Sequence, residues 1–137
     1  MTNELQALHG ALAKQGAMPV EVGDRILAWL EVPVAGKFRL SGFWIGEGGW
    51  LGLELSQTLD HPAGAGLEGR TRAANSHAAA AGLLRILLLR ENSPRLSVFT
   101  AIRPRDGEEM TAEVCERELL RIAEAVRQIW PELLPID

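Results

Sequence analysis

The segment Lys37-Phe38-Arg39-Leu40-Ser41-Gly42-Phe43-Trp44-Ile45-Gly46-Glu47-Gly48-Gly49-Trp50-Leu51-Gly52-Leu53-Glu54-Leu55-Ser56 decides the fold class. Side chains that alternate between apolar and polar mark a strand, because successive Cβ atoms point to opposite faces of a sheet. In the first half Phe38, Leu40 and Trp44 fall on one face, and all three are expected in the core. In the second half Leu51, Leu53 and Leu55 point inward from a strand running from Trp50 to Ser56. Gly46-Glu47-Gly48-Gly49 between them is a strong turn signal. Strands joined by so short a link run antiparallel.

The pattern extends in both directions. Upstream, Ile26, Ala28, Leu30, Val32 and Val34 alternate onto one face of a strand, with Trp29 and Glu31 on the other. Pro33 lacks an N–H donor, which places the end of this strand at a sheet edge. Val34-Ala35-Gly36-Lys37 reads as a turn, so the three strands form a meander. Before them, Leu5, Leu8 and Leu12 give residues 3–15 a helical spacing, with Thr2 or Asn3 as cap and Gly16 as stop. Downstream, Pro62, Gly64, Gly66 and Gly69 make residues 57–69 a loop, and the alanine-rich stretch 67–81 a helix. Leu83 to Leu89 suits a helix or a strand. Gly82 and the turn Arg90-Glu91-Asn92-Ser93-Pro94 favour a strand over 83–90, paired in a hairpin with Arg95 to Arg103. Thr111 caps the last helix, in which Cys115, Leu119, Ile122, Val126 and Ile129 form one apolar stripe closed by Trp130. Pro131 is expected to open a short turn. The order is helix, three strands, helix, hairpin, helix. Elements segregated in this way argue for an α+β fold in a single domain over 1–137, with one antiparallel sheet packed by helices.

Composition narrows the function. A chain of 137 residues with 47% apolar and 23% charged residues can fold without disulfide or metal support. The single cysteine, Cys115, and three scattered histidines give no metal-ligand set, so no metal and no cofactor are expected. A reducing cytoplasm is the simplest compartment, since the first residues lack a signal-peptide pattern and the longest apolar run is too short for a bilayer. A net charge of −4 argues against nucleic acid held by bulk charge. That charge is uneven. Residues 70–105 hold seven arginines against one glutamate, and residues 106–137 hold nine acids against three arginines. The basic middle faces the acidic last helix, or the two segments simply solvate two surfaces, or the basic part forms an acidic-partner or phosphate site.

No constellation compels a chemistry. Gly64-Ala65-Gly66-Leu67-Glu68-Gly69 fits G-x-G-x-x-G but lacks the strand leading directly into it. Asp60-His61 has no nucleophile elbow to serve. Cys115 sits among Glu113, Glu116 and Glu118, the reverse of a thiolate-activating setting. Glu108-Glu109 precede a helix, where acids favour its dipole. The protein is therefore not expected to be an enzyme. Trp29 and Phe43 lie on the strand faces opposite the expected core; that face is either covered by a second layer or open, and apolar groups on an open sheet face mark a partner surface or an oligomer interface.

Several stretches resemble the type III secretion chaperone-like fold, which includes the effector chaperones and the YbjN-type regulators. They are Arg72-Ala73-Ala74-Asn75, the segment Leu83-Leu84-Arg85-Ile86-Leu87-Leu88-Leu89, the turn at Glu91 to Pro94, Leu96-Ser97-Val98-Phe99, and Ile129-Trp130-Pro131-Glu132-Leu133-Leu134. Families of this fold end their middle helix near an Asn, run into a hairpin, and often carry a late Trp in the last helix. The resemblance implies a non-catalytic, homodimeric protein that binds another protein, holding an effector's unfolded segment in apolar grooves. Leu27, Trp29 and Phe43 become the candidate partner contacts. A regulatory or immunity-type protein of the same fold with a different partner is the alternative.

Overall fold

One antiparallel sheet of six strands carries the architecture, in the spatial order β1-β2-β3-β4-β6-β5. The structure is a computed structural model that describes residues 2–46, 49–59, 65–76, 83–89 and 94–134. Its elements are α1 (Asn3–Lys14), β1 (Val20–Val22), β2 (Arg25–Val32), β3 (Gly36–Trp44), β4 (Leu51–Thr58), α2 (Ala65–Asn75), β5 (Arg85–Leu89), β6 (Arg95–Ile102) and α3 (Ala112–Leu133). The α+β class and the expected order of helices, meander and hairpin are observed, and the sheet is larger than a three-stranded meander.

The added strand is β1. Val20-Glu21-Val22 pairs with Leu27, Ile26 and Arg25 across the two-residue turn Gly23-Asp24. Gly23 has φ of +63°, a conformation that this kind of hairpin turn requires and that glycine adopts without steric penalty.

Alternation predicts the inner face well. Ile26, Leu30, Val32, Phe38, Leu40, Leu51, Leu53, Leu55, Leu96, Val98 and Ile102 are all buried. The helices cover this face. Leu5, Leu8 and Leu12 of α1 and the stripe Cys115, Leu119, Ile122, Val126, Ile129 and Trp130 of α3 belong to the same core. Each large aliphatic side chain so buried contributes roughly 1.5–3 kcal/mol. Caps fix the helix starts, with Thr2 Oγ accepting from Leu5 N–H and Thr111 Oγ from Val114 N–H. Trp130 meets Phe38 edge-on, with centroids 4.8 Å apart and an interplanar angle of 74°. Its indole N–H donates to Gln57 Oε1 at 3.0 Å, and Gln57 Nε2 donates to the Ala35 carbonyl at 2.9 Å. One side chain of β4 thereby links α3 to the β2–β3 turn.

Several sequence expectations are corrected. Trp44 is 47% exposed. It has the core-facing parity of Phe38 and Leu40 but ends its strand beside an open cleft lined by Thr2, Leu5 and Asp24. Val34 lies outside β2 with φ of +71° and an exposed side chain, because the ladder stops before Pro33. Of the loop expected over 57–69, residues 57–58 belong to β4 and 65–69 to α2, while residues 60–64 lie outside the described residues. Gly66 belongs to that helix, and a guanidinium nitrogen of the flexible Arg70 side chain lies in the space a Cβ there would take. The Arg70 side chain crosses that gap to donate to the Leu133 carbonyl at the end of α3. Pro131 does not open a turn. It sits in the last turn of α3, which the burial of Trp130 and Leu133 holds helical.

Of the helix expected over 67–81, residues 77–81 lie outside the described residues, and α2 ends at Asn75, whose side chain has another task. Its Oδ1 accepts from Ile86 N–H at 2.8 Å and its Nδ2 donates to the Ile86 carbonyl at 2.9 Å. The amide thus pairs with the outer edge of β5 as a neighbouring strand would, and it shields part of an edge that is otherwise a template for aggregation. Asn75→Ala is expected to destabilise the protein by about 1–3 kcal/mol. Urea denaturation should show the loss, and the Ile86 amide should exchange faster with deuterium in the variant.

Candidate functional site: the open face of the sheet

Strand parity determines what the helices leave uncovered. Register aligns Val20, Leu27, Ser41, Glu54, Phe99 and Arg85 in one row across all six strands, on the face away from the helices. The next row holds Val22, Arg25, Phe43, Gly52 and Ala101. On the other side runs Trp29, Arg39, Ser56, Ser97 and Leu87. Among the described residues no helix packs on this face.

Leu27 and Trp29 come together there, in a groove completed by Met18, Val20, Val22 and Ala28 and edged by Arg39. Met18 is 70% exposed, Val20 57% and Trp29 46%, so the groove presents apolar surface to water. Phe43 shares the face but not the groove. Its ring lies over Gly52, directly opposite on β4, where a Cβ would approach ring carbon Cε2 to 2.3 Å. The Arg25 guanidinium covers the ring from outside, 5.1 Å from its centroid. Phe43 is thus half-buried between Gly52 and Arg25. The hairpin signal Val20-Glu21-Val22-Gly23-Asp24 could have revealed the groove's outer wall. Arg39 could be placed only once the pairing of β2 with β3 was known.

Two other rings on this surface also carry cations. Lys37 Nζ stands 4.9 Å from the Trp29 centroid, and the Arg103 guanidinium 4.5 Å from that of Trp50. The basic stretch 70–105 therefore does not face α3 as a block. Arg70 reaches the end of α3, while Arg85, Arg95 and Arg103 stand on the far side of the sheet. Acids of the last segment pair nearby, Glu116 with Lys14 at 3.3 Å and Glu118 with Arg117 and Arg121 at 3.2 and 2.6 Å. The Arg121 contact is ionic only, because it lacks hydrogen-bond geometry.

The remaining chemical candidates do not converge. Asp60, His61 and Gly64 lie outside the described residues, and Gly66 and Gly69 are helical. Cys115 is fully buried, and that burial pushes its thiol up to about 12, which makes it a poor nucleophile. Glu108 is not simply a partner of the α3 dipole. Both its oxygens bind Arg117, at 2.9 and 3.0 Å, and Oε1 also accepts from Arg105 N–H. The Arg117 hydrogen bonds hold its carboxyl at about 2, well below the usual range. Among the described residues there is no group of three metal-ligating side chains, and no helix is long and apolar enough to cross a membrane.

No protein-family profile matches the sequence, and no curated protein matches it significantly. The fold does have a counterpart among solved structures. The crystal structure of YbjN from E. coli, described as a candidate transcription regulator, superposes with a TM-score of 0.60. The match covers 93% of this chain and 89% of that one at 16% sequence identity. The chain has the YbjN-type fold. At that identity the likeness establishes the fold alone, so the role of the open face in this YbjN-type sheet rests on its own residues.

Glu108 yields a pH prediction. Its folded pKa lies below its unfolded one, so its stabilising contribution is present above the ordinary carboxylate range. It is lost as pH falls from about 4.5 toward about 2. Glu108→Gln should melt lower than the parent at pH 7, and the gap should close as melts are taken toward pH 2.5.

Proposed function

We propose that this protein is a non-catalytic regulator that works by binding another protein on the open face of its sheet, at the β1–β2 corner. One observation carries the reading: the helices pack on a single face, and the opposite face presents the groove of Met18, Val20, Val22, Leu27 and Trp29 to water. Exposed apolar surface of this kind is costly to maintain and marks an interaction site. The groove also adjoins an unshared strand edge. Among the described residues β1 pairs only with β2, whereas the opposite edge is partly closed by Asn75. An extended segment could therefore take both main-chain hydrogen bonds from β1 and side-chain pockets from the groove.

That free edge beside the groove favours the narrower reading of an effector chaperone, a cytoplasmic homodimer that holds its partner's unfolded N-terminal segment. A YbjN-like or immunity-type regulator would use the same surface for a folded partner.

The test is affinity capture from native lysate with the parent and three charged variants. Leu27→Glu and Trp29→Glu should lose the partner while keeping the parent's circular dichroism. Trp44→Glu, equally exposed but not in the groove, should retain it. Retention by Trp29→Glu would remove the groove from the account.

A further inference from the structure

If the open face is the binding surface, as proposed above, its charges specify the chemistry of the partner. Among the described residues, Arg39 is the one charged residue lining the apolar groove, directly opposite Trp29. Its guanidinium is exposed and, among the described residues, has neither a hydrogen bond nor an ion pair. The row that contains it, from Trp29 to Leu87, holds no acid. The acids of the face lie in other rows: Glu54 accepts from Ser97 Oγ at 3.2 Å, and Glu31 stands opposite Lys37 in the register. Among the described residues, Arg25, Lys37, Arg39, Arg85 and Arg95 outnumber the carboxylates on this face, although the chain as a whole is at −4.

We infer that the open face takes an extended, acidic and apolar-rich segment of a partner protein, with Arg39 receiving a carboxylate beside the Trp29 ring. A guanidinium fork matches a carboxylate in two parallel hydrogen bonds, and an apolar floor strengthens that contact by excluding water. Side chains on one face of an extended peptide recur about 6.6–7 Å apart. An apolar residue in the groove can therefore carry an acid within reach of Arg39. Single-stranded nucleic acid fits this surface less well. It needs bare ring faces for base stacking, and here Phe43, Trp29 and Trp50 each carry a cation.

The test uses the full chain and fluorescently labelled probes read by anisotropy. One is a short leucine-serine-glutamate-serine repeat, which puts leucine and glutamate two residues apart on the same face of an extended chain, the second replaces glutamate with lysine, and the third is oligothymidylate of equal length. The acidic peptide should bind at least about tenfold more tightly than the lysine peptide or the oligonucleotide. Arg39→Glu should weaken it by about tenfold or more, Arg39→Gln by less, and Trp44→Glu not at all. Circular dichroism should be unchanged, since the Arg39 side chain is exposed. The inference is overturned if the acidic peptide does not bind, if Arg39→Glu binds it normally, or if the oligonucleotide binds more tightly. If both peptides bind alike and Trp29→Glu abolishes both, acid selectivity is wrong and the open-face reading survives. If Trp29→Glu leaves peptide binding intact, both fail.

Discussion

The seating of Trp130 against Phe38, with its indole N–H tied to Gln57, sets which face of the sheet is covered. Trp130 lies near the C-terminal end of the α3 stripe, and Gln57 passes the constraint on to the turn between β2 and β3 through the Ala35 carbonyl. With that corner held, Cys115, Leu119, Ile122 and Val126 lie along the strands and α1 fills the remaining inner surface with Leu5, Leu8 and Leu12. Arg70 anchors α2 to the C-terminal end of α3 and Asn75 anchors it to β5. All three helices are then committed to one side.

Among the described residues, that commitment leaves the other side to the sheet's own side chains. Part of the face protects itself. Phe43 closes over Gly52 under Arg25, Ser97 caps Glu54, and Trp50 lies under Arg103. The β1–β2 corner does not, because β1 covers only the first three residues of β2 and ends beside Met18 and Trp29. The Trp29 N–H donates to the Ala17 carbonyl, so the segment ahead of β1 shapes the groove wall without filling it.

Much of this architecture can be read from alternation and helical spacing, because both report which side chains share a face. The inner faces of β2, β3, β4 and β6 and the α3 stripe follow directly from that rule, and so does the placing of Leu27, Trp29 and Phe43 together on the outer side. Periodicity does not report how far a covering helix extends. Trp44 has the parity of Phe38 and Leu40 yet is exposed, because β3 ends there beside the open cleft it shares with Thr2 and Leu5. It also fails for short elements: β1 has three residues, too few for a pattern, and only the Gly23-Asp24 turn signals it. Contacts between distant segments are invisible to local spacing. Asn75 on Ile86, Arg70 across Gly66, and Arg39 beside Trp29 are legible only once the strands are paired.

The central claim is that the uncovered sheet face, and not the helical layer, meets the partner. Hydroxyl-radical footprinting of the free protein and of the complex purified with its partner tests it most directly, because Met18, Trp29, Trp44 and Leu120 are all exposed and sample different surfaces. Protection of Met18 and Trp29, with Leu120 on α3 and Trp44 at the far strand end still modified, is the predicted result. Protection of Leu120 and Trp44 with Met18 and Trp29 unchanged would contradict it and move the interface to the helices.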